Sequence, residues 1–537
     1  MGLKEVDSSE AEAARGFIVF WRPVFASVSP EGIFGPADRC TVLEARDCPG
    51  QYGRLTFALL ALQQGDFAMK VTDLVDGAGS AIEADNLELR AVRWVKVAGK
   101  EGAEAVPVLL ERFERETVPA GQVQQFWVTY YVPEDARPGT YEGQVHITVG
   151  GEEKLALPLR LRVNPFRLAG ARIGLAGARV DTYIYYSHSA SPEELGLVYK
   201  ELVDQRCHGM NTGTLSPPVT RSGEVSREAM AALLDVYKSA RFASRRVHVE
   251  LWNRIASEWL NQPDRTIGMW GPWFRYYPFN QELDARYVAT VRMIKEEAEK
   301  RGLELVLSVA DEPGSHPWTT DAAQHYNDLV KARVPGVLRE LTVGGGWAMG
   351  RREEELWRGR INIWTSNRWL PEEFATVRRD DPQARIALYN MAGGGSGPGG
   401  PETARLFYGF YCWKTKAAGV SQWVYYHDAT PADNYVWPAQ DASEGRVPTV
   451  RWEAVREGVK DRLYLATLED LLTGRADKDA DRARKLLDEI ASAIALEPPA
   501  SESGGSRVRL HPAGTYDAWR QRIMDAIEAL GVPTTKR

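Results

Sequence analysis

The chain has 537 residues, which at about 150 residues per domain predicts several domains. Hydrophobic residues make up 44% and charged residues 26%, the usual balance of a globular protein with large cores. The formal net charge is −7 and there is no block of Lys and Arg, which disfavours a nucleic-acid partner or an anionic membrane surface. No stretch approaches the ~18 consecutive apolar residues of a membrane-spanning helix. Four cysteines are too few for a disulfide framework, and although Cys40 and Cys48 are close enough in sequence to pair, we favour reduced thiols.

The first 15 residues are polar and acidic and lack the basic and apolar regions of a secretory signal. The chain as given is therefore expected in the cytoplasm, or outside the cell if a leader was removed. The sequence does not decide the oligomeric state, and a homo-oligomer is compatible with it.

Residues 16–165 are predicted to form an antiparallel β-sandwich. Short β-rich runs alternate apolar and polar residues with no helical pattern between them, as in Phe126, Val128 and Tyr130. Gly150 and Gly151 between the last two runs are a hairpin signal. The predicted strands are 17–24, 54–62, 67–74, 87–97, 126–132, 141–149 and 155–163.

Residues 173–473 are predicted to form a (β/α)8, TIM-like barrel, because strand-like runs alternate there with helical ones. Arg451–Leu472 has apolar residues at helical spacing and is predicted to close the barrel. Residues 474–537 form a C-terminal helical extension, with predicted helices over 477–496 and 516–530. The eight predicted barrel strands are 180–186, 210–215, 247–251, 303–309, 338–343, 361–365, 385–389 and 420–426.

Asp311 and Glu312 are the sharpest chemical feature. They end the fourth predicted barrel strand, and catalytic groups of such barrels lie at the carboxyl ends of strands. One ionised carboxylate raises the pKa of its neighbour, which is how a carboxylic acid stays protonated for general-acid catalysis. A solvated acidic turn stopped by Pro313 is the alternative. The position of the pair at the end of a predicted barrel strand favours the catalytic interpretation.

Aromatic residues form a second feature. The segment 252–279 contains eight of them and is too long for a simple connection. Aromatic faces stack on the C–H faces of sugars, so we predict a carbohydrate cleft, although for any single Trp packing within the loop is the better explanation. The predicted substrate-binding residues are Trp252, Trp270, Trp273, Trp347, Trp364, Asn367, Tyr389, Tyr425 and Asp428.

The mechanism follows from which strands carry carboxylates. A two-carboxylate retaining glycosidase needs its acid and nucleophile about 5–5.5 Å apart. The seventh strand, where the nucleophile often lies, ends in Tyr389-Asn390 without a carboxylate. Glu250 and Asp428 end other strands and are alternatives. A substrate 2-acetamido group acting as nucleophile needs no second carboxylate across the sugar, and two consecutive acidic residues suit that scheme.

The sequence resembles glycoside hydrolase family 123 and its uncharacterised relatives over about residues 60–470. The likeness rests on the Asp311-Glu312-Pro313 motif, on FWVTYYVPEDARPGTY from Phe126 to Tyr141, and on VPTVRWEAVREGVKDRLYL from Val447 to Leu465. The resemblance implies a β-N-acetylgalactosaminidase with substrate assistance. It also implies that Asp311 stabilises the acetamido group and that Glu312 is the acid/base.

We therefore expect an exo-glycosidase that acts on a terminal β-linked N-acetylhexosamine, N-acetylgalactosamine by resemblance, with a glycan or glycoconjugate as partner. No cofactor and no metal site are expected. Two rival hypotheses stay open. One is a glycosidase on a non-acetamido sugar that uses Glu312 with Glu250 or Asp428. The other is a catalytically silent carbohydrate-binding protein.

Overall fold

The computed structural model describes most of the chain. The described residues are 7–25, 28, 34–99, 102–168, 180–186, 192–218, 224–251, 281–311, 313, 317–343, 353–366, 371–389, 400–427, 434–439, 445–497, 507–512 and 514–531. The side chain of Asp311 is not included.

Two β-sheets form the N-terminal part. One has the strand order β1-β3-β10-β7-β8, and the other has the order β2-β12-β11-β4-β9, with β5 paired to β11 and β6 paired to β5. All pairs are antiparallel except β2 with β12, which is parallel, so the predicted sandwich is not purely antiparallel. The strands are β1 Phe17–Phe20, β2 Leu43–Asp47, β3 Tyr52–Ala61, β4 Gly65–Val71, β5 Leu74–Asp76, β6 Ala81–Ile82, β7 Leu87–Gly99, β8 Gly102–Arg112, β9 Glu116–Val118, β10 Val123–Tyr131, β11 Gly139–Val149 and β12 Glu152–Val163.

Alternation along β10 explains why these strands form two layers. Phe126 and Val128 join the core between the sheets, whereas Trp127 points the other way and packs against Val450 of the following part. Both faces of this central strand are therefore buried. The turn between β11 and β12 is made by Gly150 and Gly151, whose φ angles of +60° and +90° favour glycine.

Eight parallel strands form the central sheet, in the order β13-β20-β19-β18-β17-β16-β15-β14. Strands that are consecutive in the chain are neighbours in the sheet, as expected for a (β/α)8 sheet, except that β13 does not pair with β14. The strands are β13 Asp181–Thr182, β14 Thr214–Leu215, β15 Arg246–Glu250, β16 Glu304–Asp311, β17 Leu338–Val343, β18 Ile363–Ser366, β19 Arg385–Tyr389 and β20 Gly419–Ser421.

The sheet is curled, and no backbone ladder between β13 and β14 closes it in the described part of the chain. Two backbone hydrogen bonds, from the Asn211 and Thr212 amides to the Thr182 carbonyl at 3.0 and 3.4 Å, and several side chains bridge these two edges instead. The Asn211 side chain accepts from the Thr182 amide at 2.8 Å and donates to the Val180 carbonyl at 2.6 Å, and Thr214 Oγ1 accepts from the Tyr186 amide at 2.8 Å. The predicted eight parallel strands are confirmed, and the closed barrel is replaced by an open curl with bridged edges.

Helices cover the outer face of the sheet and continue beyond it. A π-helical turn, Phe407–Tyr411, joins α8 to α9. Two short hairpins, β21 Val436–Pro438 with β22 Arg446–Pro448 and β23 Leu496–Glu497 with β24 Arg507–Val508, complete the structure. The helices are α1 Glu10–Arg15, α2 Leu195–Cys207, α3 Arg227–Ser239, α4 Gln281–Lys300, α5 Pro317–Arg333, α6 Glu353–Trp357, α7 Pro371–Asp380, α8 Pro401–Leu406, α9 Cys412–Thr415, α10 Val450–Leu472, α11 Lys478–Ala493 and α12 Thr515–Leu530.

Helix α10 is buried around most of its circumference, charged residues included. It lies so close to α8 that a Cβ on Gly458 would be 2.4 Å from the Arg405 carbonyl oxygen. Three of its buried charges, Glu457, Lys460 and Asp461, belong to what we term the buried charge cluster. Four cations and four anions form it, drawn from the sandwich, α8, α10 and α12: Arg54, Lys460, Arg405, Arg520, Asp47, Glu457, Asp461 and Asp517.

Glu457 is central to this cluster. It lies 3.0 Å from Arg54 and 3.1 Å from Lys460, and it also pairs with Arg520. Burial alone would raise the pKa of Glu457, but Arg520, Arg54 and Lys460 lower it well below its usual value. A buried carboxylate with this many cations is stable only as part of the complete cluster.

All four cysteines are free thiols, Cys40 and Cys48 among them, as we favoured from the sequence. Burial raises the pKa of Cys48 to about 12, so this thiol is protonated at neutral pH. Among the described helices, none is long and apolar enough to cross a membrane.

The charge cluster makes stability depend on pH. Because the pKa of Glu457 is lower in the folded than in the unfolded chain, its stabilisation is complete above about pH 5 and is lost as the pH falls through the folded pKa. Glu457→Gln should cost about 3–5 kcal/mol at pH 7, since it leaves buried cations unpaired. The difference from the unmodified protein should shrink below about pH 4, as measured by thermal unfolding across pH.

Glu489→Gln is the matched control. Glu489 pairs with Arg522 at the surface, at 2.6 Å, where solvent screens the charges, so its loss should leave the melting temperature almost unchanged. Equal effects of the two substitutions would show that the buried cluster does not hold the parts together.

Candidate functional site

The predicted catalytic pair lies at the end of β16. Asp311 is the last residue of that strand, while Glu312 lies outside the described residues. The strand Glu304–Asp311 pairs with β15 as far as Ser308 and with β17 as far as Asp311, so its carboxyl end lies beside β17. The predicted position of Asp311 at the end of a strand is therefore confirmed, whereas its catalytic role stays a prediction.

A β-bulge sets the register of Asp311. Ser308 pairs with Glu340 and Asp311 pairs with Thr342, so three steps on β16 match two on β17. Without the bulge, Asp311 would pair with Val343, which belongs to the outer core under the helices. The bulge brings the backbone of Asp311 into register with Thr342, whose hydroxyl lies beside Tyr185 on the inner face of the curl. Bulges of this kind commonly occur beside active sites, where they change the face a residue occupies.

The inner face at this end of the sheet is lined by aromatic rings. Tyr185 makes edge contacts with Tyr389 at 5.2 Å between ring centroids and lies 6.4 Å from Trp423. The Tyr185 hydroxyl is 3.4 Å from the Thr342 hydroxyl, the register partner of Asp311. Trp423 is partly exposed, whereas Tyr185 and Tyr389 are buried.

Glu250 ends β15 on the same inner face and is partly exposed. Burial raises the pKa of Tyr185 well above its usual value, and the nearby charges of Glu340 and Glu250 contribute to this. The Tyr185 hydroxyl is therefore a neutral hydrogen-bonding group. Glu250 is the carboxylate that the sequence offered as an alternative partner for Glu312.

Glu340 is a buried carboxylate one layer deeper, with 1% of its surface exposed. One of its oxygens accepts from Thr365 at 2.8 Å and from Tyr183, and the other lies 2.6 Å from His248 Nδ1. Burial would raise the pKa of Glu340, but His248 and these hydrogen bonds hold it below its usual value. We infer that Glu340 is ionised and lies beneath the aromatic side chains of Tyr185, Tyr389 and Trp423.

Three predicted substrate-binding residues lie in the described part. Tyr389 is on the inner face beside Tyr185. Trp364, 1% exposed, belongs to the core under the helices. Tyr425 is also in that core, and its hydroxyl donates to Asp204 at 2.9 Å. We do not include Trp364 or Tyr425 in the proposed sugar site. Outside the described residues lie Trp252, Trp270, Trp273, Trp347, Asn367 and Asp428.

Sequence reasoning missed three residues of the inner face, namely His248, Glu340 and Trp423. The sequence held a signal for the first two. His248 lies two residues before Glu250, and Glu340 lies two residues before Thr342, so each pair shares one face of its strand. Trp423 and Tyr425 also share parity, so alternation alone could not tell which ring faces inward. Among the described residues there is no group of three or more His, Cys, Asp or Glu side chains that could hold a metal ion.

Comparison with known proteins identifies the fold. No protein-family profile matches the chain, and no curated protein matches its sequence. A solved structure of a family 123 glycoside hydrolase from Clostridium perfringens, described as hydrolysing glycolipid glycans, matches with a TM-score of 0.68 at 10% identity. The match covers 96% of this chain and 98% of that one. The expected likeness to family 123 is thus confirmed at the level of the fold.

Other glycoside hydrolases match far less well. The catalytic domain of a mannanase from Streptomyces sp. SirexAA-E has a TM-score of 0.32 at 13% identity, covering 50% of this chain and 86% of that one. A family 5 xyloglucanase from Bacteroides ovatus has a TM-score of 0.32 at 9% identity, covering 78% of this chain and 98% of that one. These scores are too low to support a common fold.

The buried carboxylate beneath the site gives a test of the arrangement. Glu340→Gln replaces a charged acceptor by a neutral amide and leaves donors of His248, Tyr183 or Thr365 unpaired. We expect a loss of about 3 kcal/mol in the free energy of unfolding at pH 7, measured with urea. Glu304→Gln, on an exposed pair with Arg246, should cost less than about 1 kcal/mol. An unchanged free energy of unfolding in Glu340→Gln would contradict the inference that Glu340 is ionised.

Proposed function

We propose that this protein is a glycoside hydrolase that releases terminal β-linked N-acetylhexosamine, most readily N-acetylgalactosamine, by substrate-assisted catalysis with retention. The observation that carries the proposal is the β-bulge that brings Asp311 into inner-face register at the carboxyl end of β16, in a fold shared with a family 123 enzyme over nearly the whole chain. The sequence places an acidic neighbour, Glu312, directly after it.

Asp311 and Glu312 have different roles in the proposed reaction. The carbonyl oxygen of the substrate's 2-acetamido group attacks C1 while Glu312 donates a proton to the leaving oxygen, which breaks the glycosidic bond. Asp311 accepts a hydrogen bond from the acetamido N–H and stabilises the positive charge that develops there. Water then attacks C1 while Glu312 accepts its proton, the bond between C1 and the acetamido oxygen breaks, and the sugar leaves with its acetamido group restored and its original anomeric configuration.

The aromatic inner face supports a sugar as the ligand. Tyr389, Tyr185 and the partly exposed Trp423 present ring faces and edges beside the register position of Asp311. Hydroxyl groups of Tyr185 and Thr342 can hydrogen-bond to sugar oxygens. Trp252, Trp270, Trp273, Trp347, Asn367 and Asp428 remain predicted contacts. An exo-acting enzyme needs a pocket closed on one side, and the buried layer around Glu340 supplies such a floor.

A glycosidase for non-acetamido sugars is the second candidate, and Glu250 is the observation that favours it. This carboxylate ends β15, the strand next to β16, and is partly exposed. In that mechanism Glu250 attacks C1 and forms a covalent glycosyl-enzyme, with Glu312 as acid/base. A trapped adduct on Glu250 would support this candidate against substrate assistance.

The acetamido group provides the most selective kinetic test. If its oxygen is the nucleophile, 4-nitrophenyl β-N-acetylgalactosaminide should be cleaved, while the matched β-galactoside should react more than about 10³-fold more slowly. A nucleophile held in place is worth several orders of magnitude in rate, and the galactoside lacks it. Initial rates measured on the matched pair decide this, and comparable rates would contradict substrate assistance.

Substitution of the acidic pair separates the two roles. Glu312→Gln should lower the rate by about 10²–10⁴ on a disaccharide with a basic leaving group, and far less on a nitrophenyl glycoside that needs little acid assistance. Asp311→Asn should lower the rate on both by about 10²-fold or more, because it acts at the acetamido group. Steady-state kinetics with both substrates test this, and circular dichroism controls for folding. A wild-type rate on the disaccharide would remove Glu312 from the mechanism.

A further inference from the structure

His248 lies on the inner face of the curled sheet, one inward position before Glu250 on β15. Consecutive inward residues of a strand are roughly 6.6 Å apart, so its ring lies in the layer directly beneath the proposed site. The imidazole is 2% exposed and stacks on the Tyr183 ring, with 4.2 Å between centroids and 25° between planes. Tyr183 in turn contacts Tyr185 in the layer above, at 5.6 Å.

The orientation of this ring is fixed. Nδ1 lies 2.6 Å from Glu340 Oε2, and the other oxygen of Glu340 is held by Thr365 and Tyr183. A carboxylate held in this way makes Nδ1 a donor, as the outer carboxylate does for many functional histidines. The ring can neither flip nor turn without breaking a buried charge-assisted bond.

The second nitrogen has no such partner. Nε2 is buried, and no hydrogen-bonding group among the described residues reaches it. Leaving a buried polar atom unpaired is costly, and buried polar groups of native proteins are nearly always paired with protein or ordered water. Because the bond to Glu340 prevents the ring from turning, the missing partner must come to Nε2.

We propose that His248 is a positioning residue whose Nε2 binds a hydroxyl oxygen at the base of the sugar pocket, either a hydroxyl of the sugar itself or a water molecule held beneath it. A hydroxyl both donates and accepts, so it suits neutral and protonated imidazole alike. The inference rests on the proposed function, because it assigns the floor of that same pocket. Glu340 acts through His248 by fixing its ring.

Two substitutions separate the ends of the imidazole. His248→Asn places an amide nitrogen near the position of Nδ1, so it keeps a donor for Glu340 and removes the Nε2 end. His248→Gln places an amide near the position of Nε2 and loses the donor to Glu340. We expect His248→Asn to fold with a Tm close to that of the unmodified protein, while kcat/KM on the N-acetylgalactosaminide falls about 10- to 100-fold. His248→Gln should be less stable but keep more of its activity per folded molecule.

A purely structural role gives the opposite order. If His248 serves only to pair Glu340, then His248→Asn should be the active variant and His248→Gln the impaired one, which would overturn the proposal. Substrates lacking single hydroxyls distinguish the two sources of the oxygen. If the oxygen belongs to the sugar, the unmodified protein should cleave one deoxy substrate more slowly than the parent sugar. On that substrate His248→Asn should cause no further loss of rate. If it is water, His248→Asn should cost the same factor on every deoxy substrate.

A binding measurement keeps this inference apart from the reaction. In protein labelled with ¹⁵N only at histidine, the His248 signals are assigned by their loss in His248→Asn, and N-acetylgalactosamine is then added. A change in the Nε2 shift at saturating sugar supports the proposal even if no glycoside is cleaved. Unchanged His248 signals with demonstrated sugar binding overturn the inference alone. Absence of both cleavage and sugar binding overturns the proposed function and the inference together.

Discussion

The structure depends on the pairing of charges buried along helix α10. That helix is enclosed by the sandwich, by α8 and by α12, and four cations and four anions meet around Glu457 and Asp461. Because an unpaired buried charge costs several kcal/mol, the three parts of the chain can dock only in the arrangement that completes every pair. The cluster thereby supplies a rigid support outside the sheet, while the inner face stays available for polar groups.

On that inner face the chemistry is arranged in layers. Glu340 is ionised and fully engaged in the deeper layer, where it orients His248 and binds Tyr183 and Thr365. Tyr185, Tyr389 and Thr342 lie above it, at the edge to which the bulge brings Asp311. The deeper layer does not only pack: by fixing the ring of His248, Glu340 determines which nitrogen atom of that ring can face a ligand. Positioning residues on rigid strands, supported by a second set of buried groups, is what precise catalysis requires.

Much of this could be predicted from the sequence, because the patterns are local. The strands Leu338–Val343 and Arg385–Tyr389 were predicted with the bounds that the structure shows, and all eight parallel strands were located. Gly102–Arg112, one of the strands that were missed, contains Pro107 and two alanines, which weaken the alternating pattern. The bulge at Asp311 could not be foreseen, because register is a property of two strands together. The pairing of the α10 charges in the buried charge cluster was hidden for the same reason, because their partners on other elements lie between 56 and 413 residues away along the chain.

The central claim is that a sugar's own acetamido group reacts at the carboxyl end of β16. A crystal structure with the thiazoline analogue of N-acetylgalactosamine tests it most directly, because this compound mimics the cyclic intermediate. The account predicts the bound ring among Tyr185, Tyr389 and Trp423, with its nitrogen within hydrogen-bond distance of the Asp311 carboxylate and Glu312 near C1. A thiazoline bound away from Asp311, or no binding while a 2-fluoro sugar forms a covalent bond to Glu250, would contradict it.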